Sequence, residues 1–186
     1  MKILFFDVET TGLDAKKQDI IQIAGIVEID GEVKEEFNFT CQPFSYANIE
    51  QRALDVHGRG VEELKTYQPP QEMYQKLIKI FDKYIDRYNK DDKFIPAGYN
   101  VSFDVNFLFE FFKKNDNPYC GAYLDHHKLD PMPVLIMLDL KGTLKLNSYK
   151  LANIANDFGI EISAHDAMSD IRATREVCQK VMEHLK

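Results

Sequence analysis

The chain has no tryptophan, and its three cysteines, Cys41, Cys120 and Cys178, form no CxxC pair. Odd in number and far apart, they argue against a disulfide framework and a zinc knuckle. Nowhere do 18 apolar residues run together, so no membrane-spanning helix is expected. Lys2 precedes only four apolar residues before Asp7, too few for a signal peptide, and the reading is a cytoplasmic protein. Stretches rich in Gly, Ser or Pro that could link two halves are missing, as are repeats. We therefore expect residues 1–186 to form one domain. Positive charge is also scarce: 23 Lys and Arg face 30 Asp and Glu, for a net charge of −7. A broad basic groove for long duplex nucleic acid is not indicated.

What the chain has instead is a clear order of apolar patterns. Residues 2–8 and 20–29 read as strands, Asp30-Gly31 as a hairpin turn, and 33–41 as a third strand with Phe37 and Phe39 on one face. Residues 42–70 read as loop with one or two short helices. Met73, Leu77, Ile80, Phe81, Tyr84 and Tyr88 recur at spacings of three and four, which predicts an amphipathic helix over 71–89. Phe94 to Tyr99 is a candidate strand. Ser102 is placed to cap a helix over 103–115, and further helices are expected at 132–140, 149–158 and 167–184. This order predicts an α/β fold: a mixed sheet, an antiparallel meander followed by parallel strands, flanked by helices on both faces.

Four acids sit where apolar elements would not ordinarily place them. Asp7 and Glu9 end the first strand and, two residues apart, point to one face. Asp104 lies in the first turn of a helix beside Phe103 and Phe107, and Asp170 lies near the inward face of the last helix. Each has an ordinary reading as a turn residue, a helix-dipole partner or a solvated side chain. Gathered together, four carboxylates resist ionisation unless cations offset them, and hard divalent ions with oxygen preference do so. Asp125-His126-His127 with Asp130 allows a separate transition-metal site; loop residues are the simpler reading. Lys113-Lys114 and the lysines at 141, 145 and 150 read as solvated faces before strand contacts.

Three segments in order then carry a resemblance. Asp7-Val8-Glu9-Thr10-Thr11-Gly12-Leu13, Asn100-Val101-Ser102-Phe103-Asp104-Val105-Asn106-Phe107-Leu108 and His165-Asp166-Ala167-Met168-Ser169-Asp170 resemble the three motifs of the DEDDh exonucleases. That group includes proofreading enzymes similar to the epsilon subunit of bacterial DNA polymerase III. The resemblance implies a ribonuclease H-like fold and a 3'–5' exonuclease that releases nucleoside 5'-monophosphates. It implies Asp7, Glu9, Asp104 and Asp170 as ligands of two Mg²⁺ or Mn²⁺ ions, and His165 as general base. Thr10, Thr11, Gly12 and Leu13 would receive the terminal nucleotide, Leu13 as a wedge against its base, with Asn100 and Phe103 as further contacts. Two divalent ions would offset four of the seven surplus negative charges, so the expected substrate is a short single-stranded 3' end, DNA first and RNA as the alternative. A non-catalytic accessory subunit ranks last, because all five motif residues are present. The short C-terminus favours a stand-alone enzyme, with surface association with a DNA polymerase left open. Tyr99 stands where the family often has histidine, and Asp55-Val56-His57-Gly58 resembles a family stretch to which no role is carried.

Overall fold

The computed structural model describes residues 1–163 and 166–185. Its centre is a meander of three strands, β1 (Lys2–Thr10), β2 (Ile20–Ile29) and β3 (Glu32–Thr40), each antiparallel to the next. Asp30 and Gly31 both adopt positive φ (53° and 85°), the geometry that matches a tight hairpin turn to the twist of its strands. β4 (Ile95–Ala97) then pairs parallel to β1, opposite Ile3–Phe5, and gives the sheet order β3-β2-β1-β4. The mixed sheet is as expected, but its parallel part is one short strand. Residues 124 and 129 only touch the β4 region through isolated bridges.

Alternation along β1 assigns its two faces. Leu4, Phe6 and Val8 join the main core with Leu77 and Phe81 of α3 (Pro70–Tyr84) and Leu108 and Phe112 of α4 (Ser102–Lys114). Phe5 faces the other way and packs with Ile26, Ile171 and Cys178, the last two on α7 (Ala167–Glu183). Each such side chain, fully buried, contributes about 1.5–3 kcal/mol. α5 (Pro131–Leu140) and α6 (Leu151–Asp157) cover the far side of α7 through Leu135, Ile154, Val177 and Val181. Between β3 and α3 lie two short helices, α1 (Gln51–His57) and α2 (Val61–Leu64), as the pattern of 42–70 allowed.

Several helix ends differ from the sequence expectation. α3 stops at Tyr84 because Ile85 turns to extended backbone, and Tyr88 is 83% exposed instead of continuing the apolar stripe. Ser102 is the first residue of α4, not its cap; Val101 holds that position and no side chain caps the helix. α6 ends one residue short of the expected 158, with Gly159 at φ 70° beyond its cap.

A candidate carboxylate metal site

The alternation that buries Phe5 against α7 carries Asp7 and Glu9 to the same face. Both side chains are partly exposed. Asp170, in the first turn of α7, is brought there because α7 packs across β1 and β2. The helix start is set locally: the Asp166 carboxylate accepts the Ser169 N–H at 2.8 Å, and the Asp170 N–H donates to the Asp166 carbonyl at 2.8 Å.

Asp104 arrives from the other edge of β1. β4 ends at Ala97, opposite Phe5, so the Val8 N–H lies beyond the reach of its ladder. Asp104 Oδ1 accepts that N–H at 3.0 Å, and the residue is 4% exposed. A carboxylate thus completes the strand edge and is fixed in place by doing so.

The electrostatics record how close these groups are. Burial, then the charges of Asp104, Glu9 and Asp170, hold the Asp7 carboxyl well above the usual carboxylate range. Burial and the charge of Glu9 push Asp104 the same way, against the opposing bond from Val8. Glu9 is pushed up to about 7, chiefly by burial and also by Asp170 and Asp166, while the Arg59 guanidinium pulls it down. Four acids that suppress one another's ionisation suit hard divalent cations, and an all-oxygen donor set suits Mg²⁺ or Mn²⁺. By this test the residues fit such ions.

An open groove of about 780 Å³ is lined by Leu13, Phe103, Asn106, Phe107, Glu110 and Lys113 among others, none of them one of the four acids; Phe103 is the chain neighbour of Asp104. Leu13 is 77% exposed at its lip, and the Phe103 and Phe107 rings stand 4.8 Å apart. The loop behind Leu13 is firmly tied. Thr10 Oγ1 donates to the Gly12 carbonyl at 2.7 Å, and Thr11 Oγ1 accepts the Asp19 N–H at 2.9 Å. The Thr11 N–H is bonded to the Asp19 carbonyl at 2.9 Å, so this amide is committed within the fold rather than open to a ligand. Gly12 is required for a different reason from the one its sequence suggests: a Cβ there would lie 2.5 Å from Gln18 Cδ. Gln18 in turn accepts the Asp14 N–H and donates to Glu50.

The remaining expectations divide. Asn100 is exposed with φ 58°, a left-handed turn that asparagine tolerates, between β4 and α4. His165 lies outside the described residues. Lys114 is not a solvated residue: its ammonium donates to the Asp19 carboxylate at 2.7 Å and to the Gln18 carbonyl at 2.6 Å. Asp125, His126 and His127 do come together, with Asp125 Oδ1 2.7 Å from His127 Nδ1 and 3.3 Å from His126 Nδ1. Asp130 instead caps α5, accepting the Met132 N–H. Sequence reasoning missed Gln18, Asp166 and Arg59. Arg59 directly follows Asp55-Val56-His57-Gly58, and a basic residue at the end of that segment is the signal that marks it.

Among the described residues no helix is long and apolar enough to cross a membrane. The chain is 25% identical to a PolC-type DNA polymerase III of Thermotoga petrophila over 97% of its own length, and spans 12% of that relative. It is 30% identical to ribonuclease T of Hahella chejuensis over 61% of its length and 56% of the relative's. A solved Escherichia coli exonuclease I–single-stranded DNA complex in a zinc-bound form superposes with a TM-score of 0.80 at 22% identity, covering 99% of this chain and 42% of that one. This last likeness shows the ribonuclease H-like fold. Exonucleases of this kind use divalent metal ions. The exonuclease family model matches residues 4–178, from the first strand to the last helix, and the chain belongs to that family.

Proposed function

We propose that residues 1–186 are a single exonuclease domain that hydrolyses the terminal phosphodiester of a single-stranded 3' end, DNA in the first instance. The observation that carries this reading is that the charges of Asp104, Glu9 and Asp170 all act on Asp7. Asp7, Glu9 and Asp170 would hold one Mg²⁺ or Mn²⁺ ion, and Asp7 with Asp104 a second. When bound, such ions supply positive charge against the phosphate oxygens and the developing charge on the leaving oxygen.

The residues of the chain do the rest. Leu13 and Phe103 would hold the terminal base by apolar contact, with Thr10, Gly12 and Asn100 at the sugar and phosphate. Thr11 would act from behind, by fixing the loop. His165 would take a proton from the attacking water, a task to which an imidazole is suited. The water oxygen forms a bond to phosphorus, the bond from phosphorus to the 3' oxygen breaks, and that oxygen takes a proton from solvent water and leaves as a hydroxyl. The product is a nucleoside 5'-monophosphate. The likeness to a ribonuclease T favours RNA 3'-end trimming as the second reading; association with a DNA polymerase is suggested by the PolC-type relatives.

The test is digestion of 3'-labelled and 5'-labelled single-stranded DNA and RNA by wild type and Asp7→Ala, with Mg²⁺, Mn²⁺ or EDTA. Mononucleotide release is expected from wild type with metal alone, and the Asp7→Ala rate should fall at least about a hundredfold. Release that persists in EDTA or in the variant would overturn the metal reading, and internal cuts would indicate an endonuclease. Faster release from RNA than from DNA would select the second reading.

A further inference from the structure

Among the described residues, the Arg59 guanidinium draws the Glu9 carboxyl down, against the burial and the neighbouring acids that push it up. Arg59 follows Gly58, whose φ of 69° ends α1, and its N–H is held by the Leu54 carbonyl at 3.3 Å. The side chain is 16% exposed. Its Nη2 donates to Gln22 Oε1, and the Gln22 amide donates onward to Asn38 on β3 at 2.7 Å. Gln22 is the β2 partner of Glu9 in the ladder, so this relay seats the guanidinium next to Glu9 from the β2 side. Asp104 reaches the acids from the opposite edge of β1.

The guanidinium does not, however, close on the acids. Among the described residues its ion pair is with Glu63, at 4.0 Å, and Nη1 is buried without a hydrogen-bond partner. A charge held out of solvent is screened little, so it acts at a distance where an exposed one would not. An arginine bonded directly to Glu9 would take up the oxygens a metal needs. This one leaves them open and contributes only its field.

We propose that Arg59 is a built-in counter-cation of the carboxylate site, a positioning residue that offsets the charge of Glu9 when no metal is bound and weakens the hold of the site on divalent ions. The inference rests on the metal reading of the site. It gives a reason for a buried cation beside a site meant for cations: affinity is held down so that metal occupancy responds to supply and the ions exchange.

The sign of one effect tests it. In metal-free protein, Mn²⁺ binding is measured by titration calorimetry without nucleic acid, for wild type, Arg59→Gln and Arg59→Lys. Arg59→Gln is expected to bind Mn²⁺ several-fold to about tenfold more tightly, and to melt at lower temperature in EDTA. Arg59→Lys, which keeps the charge, is expected to bind within about twofold of wild type. A merely structural arginine predicts the reverse, because loosening Glu9 weakens a metal site. Unchanged or weaker Mn²⁺ binding by Arg59→Gln overturns the proposal while leaving the metal site standing. Failure of wild type to bind Mn²⁺ overturns both. Should Arg59→Gln not fold, Arg59→Lys decides alone, since a shift in its affinity well beyond twofold would show that shape and not charge sets the binding.

Discussion

Glu9→Gln removes one charge from the site at nearly constant shape, and its stabilising effect on the metal-free protein should fade as pH falls from 8 to 5. The folded protein raises the Glu9 carboxyl from an ordinary 4.5 to about 7. A carboxyl raised on folding contributes stability that is fully present below the unfolded value and is lost as pH rises through the folded one. At 1.36 kcal/mol per tenfold change in proton affinity, the loss is about 3 kcal/mol, reduced to about 2 kcal/mol because Glu9 is partly exposed. In EDTA at pH 8, Glu9→Gln should therefore be about 2 kcal/mol more stable than wild type, or about 4–8 °C in Tm for a chain of this size. At pH 5 the wild-type side chain is already protonated in the fold, and the gain should shrink below about 1 kcal/mol. Saturating Mn²⁺ should invert the order, since wild type gains binding free energy that the variant largely forgoes. Urea denaturation at the two pH values, with and without Mn²⁺, measures all of this. An equal gain at both pH values, or none at pH 8, would refute the claim that an ionised Glu9 strains the metal-free fold.

Two further substitutions probe the supports of the site. Gly12→Ala sets a Cβ against Gln18, which Asp14 and Glu50 hold in place; it should cost about 1–3 kcal/mol in urea denaturation and raise KM on a labelled oligonucleotide more than it lowers kcat. Lys114→Met strands the Asp19 carboxylate, whose side chain is 1% exposed, and should cost about 3 kcal/mol, with part recovered in the Lys114→Met, Asp19→Asn double variant.

The parts of this molecule that were legible in the sequence are those where local chemistry and tertiary packing agree. Asp30-Gly31 demands positive φ and receives it, and the isoleucine-rich run of β2 is buried almost end to end. Period alone puts Asp7 and Glu9 on one face, and the charges of Asp104, Glu9 and Asp170 act on Asp7. Illegible were features that depend on distant partners. Nothing near Ser102 shows that Val101 takes the start of α4, and nothing near Lys114 shows that its ammonium turns inward to Asp19, 95 residues away. Tyr88 fits the stripe of α3 by spacing, yet the helix ends four residues before it, at Tyr84. Thr11 carries the look of a ligand contact within a motif, whereas its amide and hydroxyl both serve the loop.

The bond from the Val8 N–H to Asp104 joins residues 96 apart, and Asp170 comes from the last helix of the fold. The acids therefore enter the growing chain in two early and two late instalments. A polypeptide that stops before residue 170 carries an incomplete set. The long loop closure that makes such a set slow to assemble also ties it to folding: the four acids can meet only when the first strand, α4 and α7 have packed together.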